Sequence, residues 1–362
     1  MPTKTVNFYR EPSRSTPDPA TLDIDLVELS LAAAKETLQT RMHVDGWLSL
    51  FSNTLSSSSK LIWRDDGLGQ GRELKRSFSN ILGRFIARHY LESNEGILEL
   101  IPIEGNHMKL GKLTVKRKDG LEGDMPDWFG CSNTDLVVAE AKGSHDKADW
   151  GKKAKVNKAK PATLQKAQEQ IDRVEILQSA SRTASPIVFK GWTVGSRWGT
   201  ETNNLEPWLM AIDPKQGEEP LGPQEFEEAQ QAIVRHSNFL MLKSMGFSFA
   251  DEMETDDFPL EQYLTADRTF PIDSGDGAPL PEGFHAIAGP FGLMPLNSRR
   301  DIWFLRLAQR LPAQTALLSI SRKRLEGNAN STETERRGNL GVARNGFSLR
   351  IIDRETRFRT AD

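Results

Sequence analysis

Apolar positions recur at helical spacing in some stretches of the chain and at strand spacing in others. Leu26, Leu29, Leu31 and Ala33 predict a helix from about Asp25 to Gln39. Leu74, Phe78, Ile81, Leu82, Phe85 and Ile86 predict a longer one from Arg72 to about Leu91, with these residues as its buried stripe. Leu164, Ala167, Ile171 and Val174 predict a helix starting at Pro161, where a missing N–H costs nothing. Phe226, Ala229, Ile233 and Leu240 predict another from Pro223 to about Met245. Between them, Gly96 to Ile103, Lys109 to Lys116, Ile187 to Val194 and Trp208 to Ile212 read as strands. Residues 1–24 are rich in Pro, Ser and Thr and are expected to begin irregularly. Beyond 245 the pattern thins. An acidic stretch punctuated by Pro and Gly, 251–282, reads as loop, and residues 284–362 mix short strands (Phe284 to Ile287, Ala316 to Ser321, Phe347 to Ile352), a helix from Arg299 to Leu311 and a polar loop over 326–341.

The densest apolar strand is Leu136 to Ala141, interrupted by Glu140 and preceded by the turn-forming Ser132-Asn133-Thr134-Asp135. Together with Pro126 to Cys131 it predicts a β-hairpin. Side chains alternate along a strand, so Val138, Glu140 and Lys142 share one face while Val137, Ala139 and Ala141 take the other. Register then decides the position of Asp127. A turn with an even number of residues puts Asp127 opposite Glu140 on the same face, whereas a three-residue turn puts it opposite Ala139 or Ala141, facing away unless a bulge intervenes. The even turn is the expectation.

Pro126-Asp127 followed by Glu140-Ala141-Lys142 resembles the signature of the PD-(D/E)XK nucleases. An acid-x-Lys triplet alone says little, since Glu73-Leu74-Lys75 and Asp213-Pro214-Lys215 also occur. The first of these lies in a helical pattern and Pro214 breaks the second. Only Glu140 sits in an apolar strand one hairpin arm after a Pro-Asp pair. The resemblance implies an α/β fold with a restriction-endonuclease-like αβββαβ core and a mixed central sheet, taken as residues 61–215. Residues 1–60 would be an N-terminal helical extension, and residues 216–362 an α+β C-terminal region for substrate or partner recognition.

It also implies an activity: Mg²⁺-dependent (or Mn²⁺-dependent) endonucleolytic hydrolysis of DNA phosphodiester bonds, in a family much used in bacterial defence and restriction. Hard cations of this kind take oxygen ligands and keep several waters. By resemblance Asp127, Glu140 and the Ala141 carbonyl would hold the metal, and Lys142 would position or help deprotonate the attacking water. On the same analogy Glu73, or else Glu92, would supply a further acid from the first core helix, and Gln165 or Gln170 a glutamine from the second. The competing readings are a first-turn carboxylate favoured by the helix dipole and a solvated helix face. A nuclease-like nucleic-acid-binding or assembly subunit without catalysis, and an RNase with the same metal site, are the alternative functions.

Charge changes the picture only once it is localised. The net charge of −3 suits a nucleic-acid binder poorly, but residues 201–296 carry 18 acids against 4 Lys/Arg, and residues 297–362 carry 14 Lys/Arg against 7 acids. From Lys147 to Lys166 there are 7 lysines and one acid, Asp149. Lys152, Lys153 and Lys155, directly after the Glu140 strand, and Arg322-Lys323-Arg324 are therefore candidate phosphate contacts, with a solvated loop as the alternative for the first group. DNA is the expected partner, with RNA next; a homodimer or a partner subunit stays open. The single cysteine, Cys131, excludes an intramolecular disulfide and a thiolate zinc cluster, and the histidines show no paired ligand spacing. Gly67-Leu68-Gly69-Gln70-Gly71 lacks the Gly-Lys-Ser/Thr ending of a phosphate-binding loop. With no apolar run of signal or membrane-spanning length, a cytoplasmic location without membrane attachment is the expectation.

Overall fold

The computed structural model describes residues 3–11, 20–37, 44–145, 162–178, 185–203 and 205–244, together with strands at 284–288, 314–321, 335–336, 341–344 and 347–353. In chain order the elements are β1 (Thr3–Glu11), β2 (Ala20–Asp25), α1 (Leu26–Thr37), α2 (Val44–Thr54), β3 (Ile62–Trp63) and α3 (Arg72–Asn94). Then come β4 (Glu99–Pro102), β5 (His107–Leu110), β6 (Leu113–Arg117), β7 (Trp128–Cys131), β8 (Leu136–Ser144), α4 (Ala162–Asp172), β9 (Val174–Gln178) and β10 (Phe189–Arg197). β11 (Gly199–Thr200), β12 (Trp208–Ile212), β13 (Lys215–Gln216) and α5 (Pro223–Ser244) complete this part.

Two compact units divide the chain. One comprises Pro2–Leu29 with Phe51–Ile233, the other Ser30–Leu50 with Val234–Asp362. In the second, β14 (Phe284–Ala288), β15 (Gln314–Ser321), β16 (Glu335–Arg336), β17 (Gly341–Arg344) and β18 (Phe347–Asp353) form an antiparallel sheet in the order β14-β15-β18-β17-β16. The first unit is a mixed α/β structure around a central sheet ordered β2-β1-β12-β10-β8-β7-β4. Two pairs in it, β8 with β10 and β1 with β12, are parallel, and the rest are antiparallel. Among the described residues no helix is long and apolar enough to cross a membrane.

α3 and α4 cover the two faces of β8 and β10, and both strands are buried along most of their length. α4 lies on the face that carries Glu140. Gly191, registered with Val138, leaves room for Ile171, and Leu164 packs with Trp208, Met210 and Ile212. α3 lies on the other face. There Tyr90 meets Trp192 edge-on at 6.3 Å between ring centroids, and Gly83 crosses directly over Gly143. A Cβ on Gly143 would fall 1.7 Å from the Ser79 carbonyl oxygen, so helix and strand touch backbone to backbone.

Several expectations are corrected here. Residues 3–11 and 20–25 are strands that extend the central sheet, and the Pro/Ser/Thr cluster falls between them, outside the described residues. The alternation in Thr3–Glu11 carries the strand, so this segment belongs to the central sheet and not to the helical extension expected for residues 1–60. Lys109 to Lys116 is a hairpin of β5 and β6 turning at Gly111, whose φ of 52° suits glycine, and with β9 it makes a small separate sheet. The buried stripe of α3 is also shifted. Leu82, Phe85, Ile86 and Tyr90 are buried, but Leu74 is 48% and Ile81 40% exposed. The apolar residues of that helix span more than one face, and the glycine crossing selects the line through Leu82 and Ile86. The helix expected at Arg299 to Leu311 lies outside the described residues.

Candidate active site

The four-residue turn sets the hairpin register. Ser132 N donates to Asp135 O at 2.9 Å, and Ser132 Oγ accepts from the Thr134 and Asp135 amides at 3.2 and 2.9 Å. A serine hydroxyl satisfying amides two and three residues on is a local turn device. Cys131 then pairs with Leu136 and Trp128 with Ala139, so the next position places Asp127 across from Glu140. The even turn is the one found.

At that position β7 ends and side chains take over from the ladder. Asp127 N donates to Glu140 Oε2 at 2.8 Å, and Ala141 N donates to Asp127 Oδ2 at 2.8 Å. The carboxylates thus satisfy the backbone where the two strands part. Each also meets a cation: Asp127 Oδ1 pairs with Arg84 Nη1 from α3, and Glu140 Oε1 with Lys142 Nζ. The Arg84 guanidinium lies over the Trp128 ring, 4.6 Å from its centroid, which fixes its plane. Arg84 did not stand out in the sequence. Its only signal is a charge set within the apolar stripe, one residue after Gly83.

Glu140 is 2% exposed, whereas the Lys142 side chain keeps 28% of its surface. Burial pushes the Glu140 carboxyl up to about 8; the Asp127 charge adds to the rise, and Lys142 with the Asp127 amide pulls the other way. Thr193 is registered with Glu140 across the parallel pair, and its buried Oγ1 has no partner among the described residues.

This shift has a measurable sign. The folded state keeps a proton on Glu140 that the unfolded chain releases near 4.5, so stability is greatest below that pH and falls as pH rises toward about 8. Glu140→Gln removes the titration. The variant should melt alongside the wild type at pH 5 and above it at pH 8.5, by on the order of 2–4 kcal/mol or roughly 5–10 °C. Equal melting temperatures at pH 8.5 would show that the carboxylate ionises without cost.

The remaining candidates separate. Gln170 Nε2 donates to Met125 O at 3.3 Å, two residues before Asp127, so it supports the approach to the site. Gln165 is exposed on α4. Glu73 sits exposed on the first turn of α3, roughly 15 Å along the helix axis from the Gly83 crossing, and is not brought to Asp127 and Glu140. Glu92 is committed elsewhere: Arg88 Nε meets its Oε1 at 3.0 Å, and Arg88 Nη2 donates to Leu100 O at 2.8 Å. His145 Nδ1 lies 2.8 Å from Ser79 Oγ, whose own hydrogen goes to Lys75 O at 2.8 Å. Serine is then the acceptor and histidine the donor, which fixes the tautomer of the neutral ring. Lys152, Lys153, Lys155, Arg322, Lys323 and Arg324 lie outside the described residues.

Among the described residues no group of three or more His, Cys, Asp or Glu side chains converges on one point. The arrangement thus offers two hard oxygen donors side by side at a strand split, with a lysine next to one of them and an arginine next to the other. No protein-family model, curated protein or solved structure matches the chain.

Proposed function

We propose that the protein is a metal-dependent nuclease that hydrolyses DNA phosphodiester bonds, with Asp127, Glu140 and Lys142 as its catalytic set. The observation that carries this reading is the juxtaposition of Asp127 and Glu140 where β7 leaves β8, with Lys142 in contact with Glu140. Leaving out β5, β6 and β9, which form a sheet of their own, the order α3, β4, β7, β8, α4, β10 with β8 parallel to β10 agrees with an αβββαβ core and supports this reading further. Defence or restriction is the setting in which that core is commonly used.

The donor set suits Mg²⁺ or Mn²⁺: two carboxylates and the Ala141 carbonyl are hard oxygens, and a cation of this kind keeps waters in its other positions. When bound, the ion stabilises charge on the scissile phosphate and makes a coordinated water acidic. The chain's own residues do the rest. Ala141 N and Arg84 orient the Asp127 carboxylate, and the Asp127 amide orients Glu140. Lys142 reaches the surface from its contact with Glu140, where its ammonium positions the attacking water and relays a proton to solvent. Water oxygen bonds to phosphorus, the bond to the leaving deoxyribose oxygen breaks, and that oxygen gains a proton.

A specific observation favours a second reading. All four oxygens of Asp127 and Glu140 already face a donor, two of them Arg84 and Lys142, as in a purely structural network. On that reading the chain binds nucleic acid or assembles with a partner without cutting. Purified protein incubated with supercoiled plasmid in Mg²⁺ or in EDTA, beside Glu140→Ala, separates the two. Nicking that needs Mg²⁺ and falls at least about 100-fold in the variant is expected. Cutting that survives the substitution means the site is elsewhere, and cutting confined to RNA moves the substrate class.

A further inference from the structure

Each oxygen of Asp127 and Glu140 faces a donor, so a cation entering between the carboxylates competes with donors already in place. The Asp127 and Ala141 amides are backbone, fixed by the strands; Lys142 and Arg84 are side-chain charges that can turn. The Arg84–Asp127 pair is the more open one. Its side chains keep 29% and 20% of their surface, so solvent and ligands reach it. Arg88, one turn further along α3, is the contrast: its side chain is 4% exposed, with Nε on Glu92 Oε1 at 3.0 Å and Nη2 on Leu100 O at 2.8 Å.

The surroundings limit what Arg84 can do. Gly83, the residue before it, meets Gly143 backbone to backbone, so the helix is held and only the Arg84 side chain turns. The guanidinium slides over the Trp128 ring, 4.6 Å from its centroid, and that ring is wholly buried. Asp127 keeps its direction when Arg84 lets go, because Ala141 N holds Oδ2 at 2.8 Å. Asn80 and Arg76 stand four and eight residues earlier on the same side of α3, about 6 and 12 Å along its axis, and both are exposed. They carry a line of donors away from the carboxylates.

We propose that Arg84 exchanges partners: it holds Asp127 until a divalent cation takes that carboxylate, and then binds a phosphate of the nucleic acid. At a given distance a divalent ion attracts the same oxygens about twice as strongly as the guanidinium does, and it repels the guanidinium. A planar fork that matches a carboxylate also matches a phosphate, bidentately in both cases. Cation and nucleic acid therefore favour each other's binding by the same factor. The choice of a nucleic-acid phosphate rests on the nuclease reading.

The test uses Arg84→Gln, which keeps a hydrogen-bond donor toward Asp127 without the charge, and Arg84→Met, which keeps only an apolar stem over Trp128. Calorimetric titration of the full chain with Mn²⁺ should show affinity raised at least about 10-fold in both. An arginine that merely orients a metal ligand predicts the opposite sign, a loss of about 10- to 100-fold in Arg84→Met. Binding of a fluorescent duplex oligonucleotide is measured in the Lys142→Ala background, where cutting is slowed. In saturating Mn²⁺, adding Arg84→Gln should weaken binding about 10-fold and lower the slope of log affinity against log salt by about one. In EDTA it should weaken binding by no more than about 2-fold, the long-range share of one charge. Mn²⁺ affinity that falls or stays level in both variants, or duplex binding that weakens equally in EDTA, would overturn the exchange, and Mg²⁺-dependent plasmid cutting would still leave the nuclease reading standing. Failure of wild type and variants alike to take up Mn²⁺ would remove both.

Discussion

Gly143→Ala should cost the first unit at least about 3 kcal/mol, and Gly83→Ala about as much, because backbone meets backbone where α3 crosses β8. A Cβ at 143 would lie 1.7 Å from Ser79 O, and one at 83 would lie 2.6 Å from both Gly143 N and Gly143 Cα. Neither neighbour is a side chain able to swing aside. The helix would have to back away, losing the packing of Leu82, Ile86 and Tyr90 and drawing Arg84 from Asp127. Urea denaturation of both variants reads the loss. A midpoint within experimental error of the wild type would mean that helix and strand stand further apart than described.

Lys142→Ala should lower plasmid cleavage by about 10²- to 10⁴-fold, the range for removing a group that transfers a proton in the reaction. The side chain is partly exposed, so its loss should leave the fold intact. It also removes an attraction that holds the Glu140 carboxyl down, so that group should move further up and metal binding should require higher pH. Lys142→Arg should not restore the rate, because a broad planar guanidinium does not take the place of a compact ammonium in contact with Glu140. The discriminating measurement is kcat for nicking beside circular dichroism and metal titration. An unchanged kcat in Lys142→Ala would leave Lys142 as an ion-pair partner and nothing more.

The hairpin was legible because its signals are local. A serine-led turn, an alternating strand and a charge inside it fix one register, and register alone brings Asp127 to Glu140. The first strand, whose partner is distant in sequence, was not legible. Thr3–Glu11 reads as a Pro/Ser/Thr-rich lead-in until Trp208–Ile212 is seen beside it. Likewise the orientation of α3 depends on two glycines 60 residues apart that only the fold brings together. Arg84 was hidden for the same reason: it looks like a helix-surface charge unless the position of Asp127 is known. Glu73 failed as a candidate through distance along its helix, a quantity the motif analogy did not include.

The pairing of Asn7 with Trp208 has a temporal side. During synthesis the amino-terminal ribbon leaves the ribosome about two hundred residues before its parallel neighbour, a wait of roughly 10–40 s at ordinary elongation rates. For that interval one border of β1 is an open template that any passing strand can join. Long-range closure of this kind is slow in any case, so the freshly made polypeptide should be most prone to clump, and most dependent on a chaperone, just before Trp208 emerges.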